Sequence, residues 1–112
     1  MYLLLIGKPK LSKLPSVKRA DAGSTPKLVC RASGWPVPRI SWRRNGSVIQ
    51  DGEYHSSFMI RKDENVDNQL IMKILAIEGY HHGTYSCHAE NALGESEEDV
   101  NIMVKSKLLN YS

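Results

Sequence analysis

The run Gly83-Thr84-Tyr85-Ser86-Cys87 constrains this chain more than any other stretch. At a period of two, Tyr85 and Cys87 face one side and Thr84 and Ser86 the other, which is how a half-buried strand reads. The same alternation in Lys27-Leu28-Val29-Cys30-Arg31 turns Leu28 and Cys30 inward together. In Arg39-Ile40-Ser41-Trp42-Arg43 it turns Ile40 and Trp42 inward, adding a large apolar body.

A chain of 112 residues predicts one domain. With 41% hydrophobic and 24% charged residues it is too apolar for disorder, so a packed fold is expected. The net charge of +3 comes from 15 basic and 12 acidic residues, interspersed along the sequence. Nucleic-acid readers concentrate much stronger basic patches, so no nucleic-acid partner is expected. Residues 2–6 are apolar but far too few to span a bilayer, which takes about 20. Any membrane attachment would lie in parts of a parent chain not included in this sequence.

Cys30, Trp42 and Tyr85-Ser86-Cys87 resemble the pin, core tryptophan and tyrosine corner of an immunoglobulin domain. The stretch from Gly34 to Trp42 is similar to the Gly-x-Pro-x-Pro-x-Ile-x-Trp lead-in of the I-set, and Ala89 to Glu95 resembles its turn between the last two strands. The resemblance covers roughly residues 9–105. It implies an all-β, two-sheet antiparallel sandwich with strands A, B, E and D facing A′, G, F, C and C′. Leu28, Trp42, Met72 and Tyr85 would form the core signature, with Leu70, Ile74 and Ile77 inward beside them. A disulfide would join Cys30 and Cys87, closing a long loop worth about 4 kcal/mol. Such a bridge implies an oxidising compartment; cytosolic muscle proteins resembling this set carry the same two cysteines reduced.

Strands are expected over 10–13, 16–19, 26–32, 39–43, 48–49, 57–62, 69–75 and 83–91, with Val100, Ile102 and Val104 alternating inward along the last. Residues 1–7 read as leader remnant or linker, 8–105 as the I-set domain, and 106–112 as a C-terminal linker. Where the family commonly shows Asp-x-Gly before the corner tyrosine, this chain has His81-His82-Gly83. The usual aspartate would pair with a basic residue such as Arg61, and that ion pair is expected to be missing.

No nucleophile elbow, phosphate loop or acid–base cluster can be assembled, so an enzyme is not expected, nor a cofactor. His55, His81, His82 and His88 lack a recognisable ligand spacing, and no metal site is expected. Function is therefore expected in surfaces. Trp35, held between proline-rich residues, reads either as an aromatic anchor for a partner or as packing on Pro36 or Pro38. Arg39, Arg43, His88, Glu90 and Met103 are outward positions on the C, F, G sheet and candidates for binding. Asn45-Gly46-Ser47 is a tight turn and an acceptor for N-glycosylation, and Asn110-Tyr111-Ser112 repeats that pattern.

Within the I-set, the chain most resembles extracellular neural cell-adhesion members of the lachesin and IgLON kind. That resemblance implies a non-catalytic module of an adhesion or receptor protein, binding other extracellular or cell-surface proteins, copies of itself included. Two alternatives stay open. One is a cytosolic structural module of a titin- or palladin-like muscle or cytoskeletal protein. The other is a module of a secreted growth factor or matrix protein, whose Arg39, Arg43 and Arg44 would make weak contact with heparan sulfate.

Overall fold

The computed structural model of the chain describes residues 6–63 and 68–106. The expected leader or linker over 1–5, the centre of the polar loop at 64–67, and the tail with the Asn110 acceptor lie outside them.

Among the described residues, nine strands form two sheets. β1 (Gly7–Leu11), β3 (Lys27–Trp35), β7 (Gln69–Ile74) and β6 (Phe58–Lys62) lie side by side in that order in a four-stranded antiparallel sheet. β2 (Val17–Asp21), β9 (Gly94–Lys105), β8 (Gly83–Asn91), β4 (Arg39–Arg44) and β5 (Ser47–Val48) make the second, five-stranded sheet. Here β2 runs parallel to β9, because the first stretch of chain leaves one sheet after β1 and joins the other. The residues between include Pro15, which cannot donate to a ladder and so suits the break. The chain is the two-sheet immunoglobulin-like sandwich implied by the sequence.

Alternation decides the interior. Leu28 and Cys30 from β3, Leu70, Met72 and Ile74 from β7, Trp42 from β4, Tyr85 and Cys87 from β8, and Val100 and Ile102 from β9 are all buried. Cys30 and Cys87 are joined across the sheets by a disulfide, with Cα atoms 6.3 Å apart. The Trp42 indole N–H donates to the carbonyl of Leu70 at 3.0 Å, tying β4 to the opposite sheet while satisfying its one polar atom. Tyr85 does the same at the corner, its hydroxyl donating to the carbonyl of His81 at 2.5 Å.

Several bounds differ from the sequence reading. β3 continues to Trp35, because Gly7 and Ile6 pair with that residue and extend the ladder into what reads as loop. The passage from β5 to β6 holds a four-residue helical turn, Glu53–Ser56, that the sequence did not announce. Tyr54, His55 and Ser56 all have positive φ, of 55°, 57° and 63°. Left-handed backbone costs a non-glycine residue about 1–2 kcal/mol. Offsetting contacts surround it: Tyr54 meets Phe58 edge-on at 5.3 Å, the Arg44 guanidinium lies 5.2 Å from the Tyr54 ring, and Ser57 Oγ donates to the Tyr54 carbonyl at 2.6 Å.

Candidate protein-interaction site

The outer face of the five-stranded sheet brings together most of the expected binding positions. Cross-strand pairing sets Arg39 opposite Glu90, Ser41 opposite His88 and Arg43 opposite Ser86. Arg39 and Glu90 are exposed, and Met103 on β9 is 37% exposed.

His88 departs from expectation. It sits on this outer face, yet is only 6% exposed, because Arg43 and Glu95 close over it. Arg43 Nη2 donates to His88 Nδ1 at 3.1 Å; a guanidinium has no acceptor, so Nδ1 must receive the bond. The other ring nitrogen, Nε2, then donates to Glu95 Oε2 at 3.0 Å. His88 therefore holds Arg43 and Glu95 in place rather than offering itself to a partner.

At one pole, Asn91 Nδ2 donates to the carbonyls of Gly7, at 2.8 Å, and Pro36, at 3.0 Å. One side chain thus fixes the start of β1, the β3–β4 loop and the β8–β9 turn together. Around it stand Trp35, Val37, Leu93 and Ile6, each about half exposed or more. The Trp35–Pro36 peptide is cis. Trp35 does not bury itself under the prolines, whereas Pro38 does go inside. The sequence marked Trp35 alone; the other three are scattered single apolar residues along the chain, and only the fold gathers them.

At the opposite end, His81 fills the place where the family commonly carries an aspartate. It is fully buried, its Nδ1 accepting from the Glu78 backbone N–H at 2.9 Å and its Nε2 lying 2.9 Å from Ser57 Oγ. Burial, and after it the charge of Arg44, holds its pKa below the ordinary value for histidine. Arg61 instead pairs with Asp51 at 3.2 Å, across an exposed edge. Asn45, with φ of 51°, is exposed beside Gly46 at the β4–β5 hairpin tip, the paired positive φ of a primed turn. Among the described residues, no three His, Cys, Asp or Glu side chains gather as a metal would require.

The model of the immunoglobulin I-set domain matches residues 9–104. Neural cell adhesion molecule 1-B of Xenopus laevis is 40% identical over 80 residues, which is 71% of this chain and 7% of that protein. Lachesin of Schistocerca americana is 32% identical over 76 residues, 67% of this chain and 21% of that protein. This chain thus spans only a small fraction of the length of such relatives. Among solved structures, the titin domains z1z2 in complex with telethonin superpose with a TM-score of 0.80 at 26% identity, covering 93% of this chain and 51% of that one.

Proposed function

The chain belongs to the immunoglobulin I-set family, and from that premise we propose that it is a non-catalytic protein–protein interaction module of an extracellular adhesion or receptor protein. The observation that carries this reading is the pole where Trp35, Val37, Leu93 and Ile6 stand exposed on a framework locked by Asn91. A preorganised aromatic flanked by apolar neighbours is the usual make-up of a contact hot spot. Arg39, Arg43, Glu90 and Met103 on the adjoining sheet face supply the polar and charged surround that a non-obligate interface uses.

Placement outside the cell is supported by the closed Cys30–Cys87 bridge, since disulfides persist in oxidising compartments. Adhesion molecules among the relatives support it as well. Likeness to titin domains favours a second reading, a cytosolic structural module.

The mass of protein purified from its native source without reductant separates the two. An intact bridge and a glycan on Asn45 are the expected result; free thiols and a bare Asn45 favour the cytosolic module. Binding is tested with fluorescent, multimerised domain applied to cells. Trp35→Ala should lose staining at an unchanged melting temperature, and equal staining by this variant would overturn the role given to the pole.

A further inference from the structure

One edge of β4 is only partly covered. β8 pairs with it from Arg39 to Arg44, whereas β5 pairs only with Arg43 and Arg44. Ile49 N–H donates to the Trp42 carbonyl at 2.8 Å, so Trp42 turns its backbone groups toward the β5 side. Successive residues of an antiparallel strand turn theirs to opposite sides, and Ile40, two residues earlier, therefore faces the same way as Trp42. After Ile49 the chain crosses to the other sheet. There Gly52 N–H donates to the Phe58 carbonyl at 2.8 Å, and Asp51 Oδ1 accepts from Ile60 N–H at 2.9 Å. Among the described residues, nothing pairs with the backbone N–H and carbonyl of Ile40 on this side. An uncovered donor and acceptor on a strand edge are a template for a further strand.

This edge borders a cleft of about 430 Å³ lined by residues of both sheets. Buried Leu70 of β7 and half-buried Ile40 of β4 give it an apolar floor, and Arg39 and Lys62 stand exposed on opposite walls. Val37, 57% exposed, continues it toward the pole where Trp35 stands. Asp63 is the one acidic residue among the described lining, and it already has a partner. The charge left to be met is therefore positive.

A strand that continued β5 along β4 would set one residue opposite Ile40, its side chain on the same face, over Ile40 and Leu70. Its next residue would lie opposite Arg39 and point to the outer face with it. Pro38 has no N–H to donate, so the pairing would end there. We propose that this cleft takes an extended segment of a partner protein as an added strand antiparallel to β4, with an apolar residue over Ile40 and Leu70 followed by acidic residues that meet Arg39 and Lys62. The proposal rests on the reading of the domain as a protein-interaction module and names the chemistry of one segment it would hold. A sulfated polysaccharide could use the two cations, but it brings no amide ladder for Ile40 and nothing apolar for the floor.

Amide hydrogen exchange, followed by NMR on the isotope-labelled oxidised protein, tests this with the end-capped peptide Thr-Val-Thr-Val-Glu-Glu-Thr. In the protein alone the Ile40 amide should exchange much faster than those of Ser41 and Arg43, whose backbone groups face β8. Saturating peptide should slow Ile40 at least about tenfold and shift the resonances of Ile40, Lys62 and Leu70. Arg39→Glu/Lys62→Glu should lose this protection and regain it with a peptide carrying Lys in place of both Glu. Lys62→Glu alone leaves Arg39 opposite Glu90 and should weaken the acidic peptide several-fold, which keeps a test in hand if the double variant melts early. An Ile40 amide already slow in the protein alone overturns the open edge. A peptide that leaves Ile40 exchange unchanged, or that binds these variants as it binds the wild type, overturns the docking. Trp35→Ala should keep peptide binding, so lost cell staining reports on the pole and lost protection of Ile40 on the cleft.

Discussion

Acidification through the histidine range should weaken this fold by way of His81. Its Nδ1 already accepts the Glu78 N–H, so Nε2–H must be the donor to Ser57 Oγ, and that hydroxyl donates onward to the Tyr54 carbonyl. A second ring proton would have to enter at Nδ1. It would break the bond to Glu78 and leave a charge buried against the Phe58 ring, 5.5 Å away. Desolvation, with the charge of Arg44 as the lesser cause, lowers the folded pKa; Glu78 opposes this more weakly.

The direction of the pH effect follows. In the unfolded chain His81 titrates near the ordinary histidine value of 6.5. Between that value and the lower folded one, the unfolded state binds more protons, so stability falls as pH falls. The contribution is fully present above 6.5 and declines below it, by at most about 1.4 kcal/mol per pH unit. For a domain of this size, each kcal/mol moves the melting temperature by about 4–8 °C.

Urea unfolding of wild type and His81→Gln at pH 7.5, 6.5 and 5.5 checks this. Glutamine can accept from Glu78 and donate to Ser57 but does not titrate, while the other three histidines contribute alike to both proteins. The gap between the two stabilities should shrink as pH falls. Parallel curves, or a wild type that gains on the variant in acid, would refute the buried neutral imidazole.

At the alkaline end, burial pushes the Tyr85 pKa up to about 12, so the neutral phenol is favoured in the fold and stability should drop as pH rises from 10 toward 12. The loss is at most about 3 kcal/mol, and Tyr85→Phe should abolish that dependence in pH-titrated melts. Trp42→Ala should cost about 3–5 kcal/mol in chemical denaturation by opening a cavity and orphaning the Leu70 carbonyl. An unchanged midpoint would contradict its place at the centre of the core. Replacing Cys30 and Cys87 together by alanine should cost about 4 kcal/mol, since the bridge spans a sequence separation of 57. A loss below about 1 kcal/mol in the same assay would show that the loop closure contributes little here.

The sandwich was legible because its signal is local and repeated. Each inward residue is separated by one from the next, and Leu28–Cys30, Leu70–Met72–Ile74 and Tyr85–Cys87 keep that period through the strand. The sites were legible only where a single residue carries the signal, as Trp35 does. His81 could be seen to replace a customary aspartate, but its neutral bond to Ser57 depends on a residue 24 positions away. The interspersed charges conceal which like charges meet across strands, because that needs the register that sets Lys27 against Lys73 and Glu90 against Glu95. His88 reads as an outward position from alternation, and only Arg43 and Glu95 closing over it make it interior. The left-handed turn at Tyr54 to Ser56 contains none of the glycines that would announce it.

The two indoles occupy contrasting settings, and this gives the domain a pair of optical reporters. Trp42 is wholly enclosed, its Cα paired with that of a disulfide cysteine, so its emission should be blue and quenched until the core opens. Trp35 is 47% exposed and should emit to the red throughout, changing only when something covers the pole. A titration read at long wavelength would follow docking at the tip, and a melt read at short wavelength would follow the interior.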